Sequence, residues 1–146
     1  QTAPEGHFAP VGCKGWFPKD GRKARFDQQP LEAHGTVDAC LEAYHITKDP
    51  QWTVRAHQAH NWYLGENDLH VPLYDHTTGG CHDGLEAEGV NENQGAESTL
   101  SWLLSLLSLY NHNLEHALPK QPSPHHPIHK QKKPRTAPKK HRSSKA

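Results

Sequence analysis

The chain has 146 residues, enough for one domain, but only 33% of them are hydrophobic and the mean hydropathy is -0.93. Its 16 basic and 16 acidic residues are unevenly placed: Pro119–Ala146 holds nine basic residues and no acid, so Gln1–Leu118 has a formal charge of −9. No apolar run approaches the roughly 20 residues of a membrane span, and no signal peptide is predicted, so we do not expect a membrane protein.

Two helices are predicted after an irregular first segment, residues 1–29, which glycine and proline interrupt too often for a long helix. Pro30 suits the first helical position, and apolar residues at three- and four-residue spacing continue that helix to Ile46. The second helix is predicted over Pro50–Leu64, with Asp49 as its N-cap and Trp62 on its inner side.

A long loop over residues 65–95 precedes the third predicted helix, Ala96–Ala117. Within the loop we expect a short extended piece at Val71–Asp75 and a turn at Thr78–Gly80, and loops of this length are often functional. The third helix has an apolar side so broad that we expect it to be packed on most sides. That side comprises Leu100, Leu103, Leu104, Leu107, Tyr110 and Leu114, widened by Trp102 and Leu106.

The composition changes abruptly after Leu118, where six prolines, nine cations and four histidines share 28 residues. Such a segment lacks the apolar surface needed to offset chain entropy, so we expect a disordered tail over 119–146. Its cation blocks suit weak contact with nucleic acid or another anionic polymer, and a solvated tail without a defined role is the alternative. The predicted organisation is an all-α domain over 1–118 followed by this tail.

Three cysteines, Cys13, Cys40 and Cys81, are odd in number and too far apart for a disulfide framework or a paired zinc knuckle. We therefore expect reduced thiols and a cytoplasmic location. Because the sequence contains no methionine, even at position 1, we also expect a fragment or a processed form of a longer product.

Carboxylates and amides are concentrated around the starts of the first and third helices, in residues 25–32 and 91–98, which we call the first and second polar clusters. Capping a helix N-terminus needs one or two such groups, and each cluster has more. Amide side chains both donate and accept hydrogen bonds, which suits a hydroxyl-rich ligand. Trp16 and Tyr74 lie in polar loops near the clusters and are candidates to stack on a sugar ring, whereas Trp62 and Trp102 are assigned to the core.

Seven blocks of the sequence, in order, resemble the C-terminal part of bacterial (α/α)-toroid proteins of the six-hairpin glycosidase superfamily. Members of that kind are described as glycosyltransferases or are joined to one. The resemblance covers about Phe8 to Tyr110 and does not include the tail. The blocks are Phe8–Trp16, Ala24–Ala33, Val37–Tyr44, Trp62–Leu69, Pro72–Asp75, Thr78–Leu85 and Val90–Ser98.

The resemblance implies antiparallel helical hairpins that form part of an (α/α)6 toroid and a role in carbohydrate metabolism, as a glycosyltransferase or glycoside hydrolase. The implied substrate is a carbohydrate or a nucleotide-sugar-derived compound. The implied partners are the missing N-terminal part of the toroid or an attached glycosyltransferase domain. Because a toroid pocket is lined from many hairpins, we expect the fragment alone to be inactive.

Sugar cleavage in such a pocket needs one carboxylic acid and one carboxylate, which inverting enzymes hold roughly 6.5–9.5 Å apart. We choose Asp27 and Glu92 as the catalytic candidates, since both lie in loops that precede helices, where toroid pockets open. For Glu97, helix capping is an alternative to substrate binding and equally favoured. For Arg25, the alternative to binding a ligand is an ion pair with Asp27. The substrate-binding candidates are Trp16, Arg25, Gln28, Gln29, Tyr74, Asp83, Asn91, Asn93, Gln94 and Glu97.

Other chemistries are less favoured. His57 and His60 are spaced to share one helix face, but no further ligand completes a zinc site at a suitable spacing, so no metal is predicted. No phosphate-binding loop or dinucleotide fingerprint occurs, and no cofactor is predicted. The alternative function is a non-catalytic helical interaction module with a basic tail. A sugar site requires Asp27, Gln28, Asn93 and Gln94 to converge on one concavity with Trp16 or Tyr74, whereas a packing module does not.

Removing residues 119–146 tests the interpretation of the tail. Truncation after Leu118 should leave the melting temperature of the helical body unchanged, because the tail has almost nothing apolar to dock. The same truncation should abolish salt-sensitive binding to nucleic acid or heparin, since the remaining body has a formal charge of −9. Thermal melting and heparin chromatography measure the two effects, and a lower melting temperature would show that the tail packs on the body.

Overall fold

The computed structural model describes residues 1–117, and the predicted tail lies outside them. The described chain is helical: α1 spans Pro30–Thr47, α2 spans Gln51–Asn61, and α3 spans Ala96–Ala117. A single 3-10 turn, Trp62–Leu64, continues α2. Within residues 1–117 the β-structure is limited to isolated bridges. The three predicted helices are thus confirmed, and five of their six ends agree with the structure to within one residue. The exception is the end of α2, where the 3-10 turn replaces the last predicted helical residues.

The helix ends follow from local chemistry. Pro30 is the first residue of α1, and at its other end Lys48 adopts a left-handed conformation whose N–H donates to Tyr44 O at 2.8 Å. α2 begins one residue later than predicted. Asp49 still supports that start, because its carboxylate accepts the Gln51 N–H at 2.9 Å and so satisfies a backbone donor at the helix end.

α1 packs against both of the other helices. α2 runs antiparallel to α1, because only the short link 48–50 joins them. α3 runs parallel to α1: the Ser108 hydroxyl donates to Asp38 at 2.8 Å, and further along both helices His45 lies 3.9 Å from Glu115. α1 and α3 therefore begin at the end of the bundle where α2 ends, and we call it the loop end because both long irregular segments meet there.

An aromatic cluster around Trp102 orients α3. The His60 ring stacks on Trp102 with ring centroids 4.9 Å apart, Tyr74 stacks on it at 4.5 Å, and Tyr63 contacts it edge-on at 5.4 Å. Burial lowers the pKa of His60 to about 4, so its ring is neutral where it hydrogen-bonds the Ser105 hydroxyl at 2.9 Å. Trp62 and Trp102 are both buried, which confirms their assignment to the core.

The expectation that the leucine side of α3 is packed on most sides is wrong within the described residues. The buried side is the opposite one, where three serines and the large ring of Trp102 contact the bundle. Small serine side chains let α3 approach α1 closely, and the ring fills the core. The leucine face is 42–58% exposed at each position; its members are Leu100, Leu103, Leu104, Leu106, Leu107, Tyr110 and Leu114.

A buried amide joins the loop end to the core. Gln28 is fully buried, and its Oε1 accepts the Trp62 Nε1–H at 2.7 Å. Its Nε2 donates to Arg25 O at 2.8 Å and to the Asp68 carboxylate. Its backbone pairs with Leu85 in both directions, at 3.0 and 2.9 Å. One side chain and its peptide groups therefore connect the first segment, α2 and the long loop.

None of the helices within residues 1–117 combines the length and the apolar character needed to cross a lipid bilayer. The longest, α3, alternates serine and other polar residues with its leucines throughout its length.

Gln28→Ala should lower the free energy of unfolding by about 2–4 kcal/mol, because it leaves the buried Trp62 N–H and the Asp68 carboxylate without partners. Gln29→Ala is the matched control, since Gln29 is half-buried and makes no side-chain hydrogen bond within residues 1–117. Urea unfolding followed by circular dichroism measures both variants. Equal effects of the two substitutions would contradict the role of the Gln28 amide.

Candidate functional site

The two predicted polar clusters meet at the loop end through residues 83–85. Leu85 pairs with Gln28, and Gly84 lies against the residues before α1. A Cβ atom on Gly84 would stand 2.9 Å from Gln28 O and 3.1 Å from Asp27 Oδ1. A side chain at position 84 would therefore force these segments apart. The first cluster is thus adjacent to Asp83, whose carboxylate hydrogen-bonds residues of the second cluster.

Asp83 holds the start of α3. One carboxylate oxygen accepts the Gly95 N–H at 2.7 Å and the Ser98 hydroxyl at 2.6 Å, and the other accepts the Asn93 amide. The Ser98 hydroxyl, followed by the Gly95 N–H and the Asn93 amide, lowers the pKa of Asp83. This carboxylate is therefore ionised at neutral pH and has the role of a cap, supplied from the loop rather than from the residues just before the helix.

Most amides of the second cluster stabilise the long loop itself. Gln94 Nε2 donates to Asp75 at 3.1 Å, and Gln94 Oε1 accepts from the Thr78 hydroxyl at 2.7 Å. The neighbouring Asn91 donates to Glu86 at 3.1 Å. The two Gln94 bonds hold a turn at residues 76–78, which overlaps the turn predicted at Thr78–Gly80, and the Gly79 N–H also donates to Asp75 O at 2.8 Å. Asn91 and Gln94 are thus engaged within the fold.

Among the predicted site residues with a carboxylate or amide side chain, four make no side-chain hydrogen bond within residues 1–117: Asp27, Gln29, Glu92 and Glu97. Glu92 and Glu97 are exposed, and Asp27 is half-buried. Burial, and after it the charges of Asp27 and Glu32, raise the pKa of the Cys13 thiol, and the Cys13 N–H donates to Asp27 O at 2.9 Å. Asp27 and Glu92, the catalytic candidates, are therefore carboxylates that a ligand at the loop end can contact.

Arg25 pairs with Asp68 rather than with Asp27. Its Nε donates to Asp68 Oδ1 at 3.0 Å, although the Arg25 side chain is largely exposed and the Asp68 side chain is only 8% exposed. His7 Nε2 is buried 3.6 Å from the same oxygen and has no hydrogen-bond partner among the described residues. Sequence reasoning missed Asp68 and His7, because both lie in polar loop stretches and no spacing links them to Arg25.

Three cavities open on the described surface. One of 390 Å³ is lined by Arg25 and Gln28 together with Asp68 and Lys23, whose ammonium donates to Ala9 O at 2.6 Å. The others, of 330 and 480 Å³, lie between α1 and the C-terminal half of α3 and beside α2. Asp27 and Glu92 line none of these three cavities.

The two predicted stacking aromatics occupy different settings. Trp16 is 61% exposed on a turn and has a left-handed backbone conformation, with φ of 55°. Tyr74 is half-buried with its ring stacked on Trp102, so that face of the ring is covered by the core. The structure brings Asp27 and Gln28 beside Asp83 and its partner Asn93, but it engages Gln28 and Asn93 in internal bonds.

Metal binding and known relatives add no further residues to the site. No group of three histidine, cysteine or acidic side chains suited to a metal ion occurs in the part of the chain that the structure describes. No protein-family model matches the sequence, and no curated protein matches it either. The resemblance to the six-hairpin glycosidase superfamily stays a prediction that depends on the sequence motifs alone.

Asp83→Asn should destabilise the fold by about 1–2 kcal/mol at pH 7, because the start of α3 loses a charged acceptor. Since the native pKa of Asp83 is lowered, its contribution is complete above the unfolded-state pKa of about 3.9 and is lost as pH falls through the native value. Urea unfolding should therefore show a difference between variant and wild type that shrinks in strong acid. Glu92→Gln, an exposed carboxylate nearby, is the control; a pH-independent effect of Asp83→Asn would contradict the capping role.

Proposed function

We propose that the chain is a non-catalytic helical interaction module whose leucine face on α3 docks onto a helix outside the described residues. The observation that carries the proposal is that one side of α3 is buried in the core while the opposite side is apolar and exposed. Its serine and tryptophan side builds the core, while seven large apolar side chains on the other side are about half exposed. Contiguous apolar patches of this kind are typical of protein–protein contacts.

The polar clusters support the same proposal. Gln28, Asn93 and Gln94 are bonded within the fold, and neither Trp16 nor Tyr74 lines any of the three cavities described above. These side chains serve as junctions, caps and turn supports within the fold. The exposed apolar side of α3 has no such role within residues 1–117. The basic residues after Pro119 add the proposed contact with anionic polymers.

Substitution on the leucine face tests the module. In dilute solution, Leu107→Glu should change the free energy of unfolding by less than about 0.5 kcal/mol, because Leu107 is exposed in the single chain. Leu109→Ala, at a buried position two residues away, should cost about 2–5 kcal/mol. A fluorescent leucine-striped helical peptide should bind the wild-type chain and lose affinity for Leu107→Glu. Strong destabilisation by Leu107→Glu would mean that the chain itself covers this face, and the proposal would fail.

A carbohydrate-related function is the second candidate. It is supported by the resemblance to (α/α)-toroid proteins and by the arrangement of the helices, in which α1 and α2 are antiparallel and both long loops lie at one end. The observation that favours it is the pair of carboxylates at the loop end, Asp27 and Glu92, that no described side chain uses. In this proposal they contact a sugar within a larger toroid or beside a glycosyltransferase domain.

Asp27→Asn and Glu92→Gln test that candidate in the complete protein. Each substitution should lower sugar binding or turnover while the stability stays within about 1 kcal/mol of wild type. Isothermal titration with oligosaccharides and urea unfolding separate the two effects. If the variants unfold and activity falls only in proportion, these acids are structural and the carbohydrate site fails.

A further inference from the structure

The leucine face of α3 has the spacing of a coiled-coil seam. Leu100, Leu107 and Leu114 are seven residues apart on an unbroken helix, and Leu103 and Tyr110 occupy the alternate apolar position between them. All five are exposed. A seven-residue repeat of this kind is the pattern that packs side chains of one helix into the spaces between side chains of another.

Between Leu100 and Leu114 the edges of the seam carry no charge. The flanking positions are Leu104 and Leu106 in its first half and Asn111 and Asn113 in its second. Charged flanks are what usually select a partner of opposite charge and repel an identical helix. An identical helix therefore meets no like-charge repulsion here. The formal charge of the whole chain is zero, but residues 1–118 carry −9 and the basic segment of +9 follows the C-terminal end of α3, so two α3 helices that pair antiparallel keep the two basic segments apart.

The area of the face is close to what a stable pair needs. With about half of each of seven large side chains exposed, the face offers roughly 600 Å² of apolar surface, against roughly 800 Å² per partner in a standard interface. Contacts from the flanking asparagines would enlarge it further. An interface of this size fits a reversible pair of moderate affinity.

Little else in the chain matches this surface. After Ala117 the sequence contains only two large aliphatic residues, Leu118 and Ile128, and no aromatic residue. Elsewhere in residues 1–117 the exposed large apolar residues do not form a helical stripe. Leu31 and Ile46 lie at opposite ends of α1, α2 and the 3-10 turn have one each, and two more, Trp16 and Phe17, are adjacent in the first segment. Within residues 1–117 the helix with an exposed leucine stripe is α3 itself.

We propose that the leucine face joins two copies of this chain as an antiparallel, two-fold symmetric pair of α3 helices. In an antiparallel pair the two alternating apolar positions of the repeat face each other, so a two-fold axis midway between Leu103 and Leu107 places Leu103 of one copy against Leu107 of the other and Leu100 against Tyr110. The same patch then serves both copies and closes the assembly at two. The inference names the partner of the proposed interaction module and rests on that proposal.

Sedimentation equilibrium of the full 146-residue chain tests the pair. Between about 1 and 500 µM, the wild-type mass should rise from 16.4 kDa to twice that value. Leu107→Glu should weaken self-association at least tenfold. Leu64→Glu is the matched control, because Leu64 and Leu107 are both 52% exposed, and it should leave the pair intact.

Oxidative cross-linking tests the arrangement, in a Cys13→Ser background that removes the partly exposed thiol. Leu103→Cys mixed with Leu107→Cys should form a disulfide-linked dimer, and Leu100→Cys by itself should not. A dimer from Leu100→Cys alone would overturn the antiparallel arrangement.

Other results separate this inference from the proposed function. A wild-type chain that stays monomeric, while Leu107→Glu is stable and the helical peptide still binds, overturns the pairing alone. A dimer that Leu107→Glu does not weaken also overturns it. A Leu107→Glu chain that unfolds overturns both proposals.

Discussion

The structure depends on a polar side chain that has no contact with solvent. Gln28 lies between the first segment and α1, and its amide must satisfy the Trp62 N–H on one side and the Asp68 carboxylate on the other. Buried polar groups are costly unless they are paired, so the positions of α2 and of the loop around Asp68 are fixed together. The backbone pairing of Gln28 with Leu85 extends the same constraint to residues 83–85 and from there to the start of α3.

That junction also explains why the amide-rich segments do not form an open ligand site. The excess of polar groups in each cluster is real, but the segments that meet at the loop end have many peptide groups and carboxylates of their own. Gln94 and Asn93 are used by Asp75 and Asp83, and Gln28 is used by the core. Carboxylates that make no side-chain hydrogen bond within residues 1–117, such as Asp27 and Glu92, are left for a ligand.

The orientation of α3 has the largest consequence for function. A helix with leucines on one side and serines with one tryptophan on the other has two ways to face a bundle. The stacking of Trp102 with His60 and Tyr74 favours the serine side, because one large ring in an aromatic cluster buries more surface than a single leucine and small serines permit close approach. The leucines are then directed outward, where a further helix can bind them.

The sequence by itself determined the helical class, the bounds of the three helices, the turn at Thr78–Gly80 and the core positions of Trp62 and Trp102, because periodicity, prolines and glycines act over a few residues. Only the tertiary structure decided which side of α3 is buried, that Arg25 pairs with Asp68, and that Gln28 is a core residue. Each of these depends on residues distant in sequence that meet at the loop end or in the aromatic cluster. Local spacing contains no information about such contacts, because the free energy that selects them comes from burial and pairing in the assembled fold.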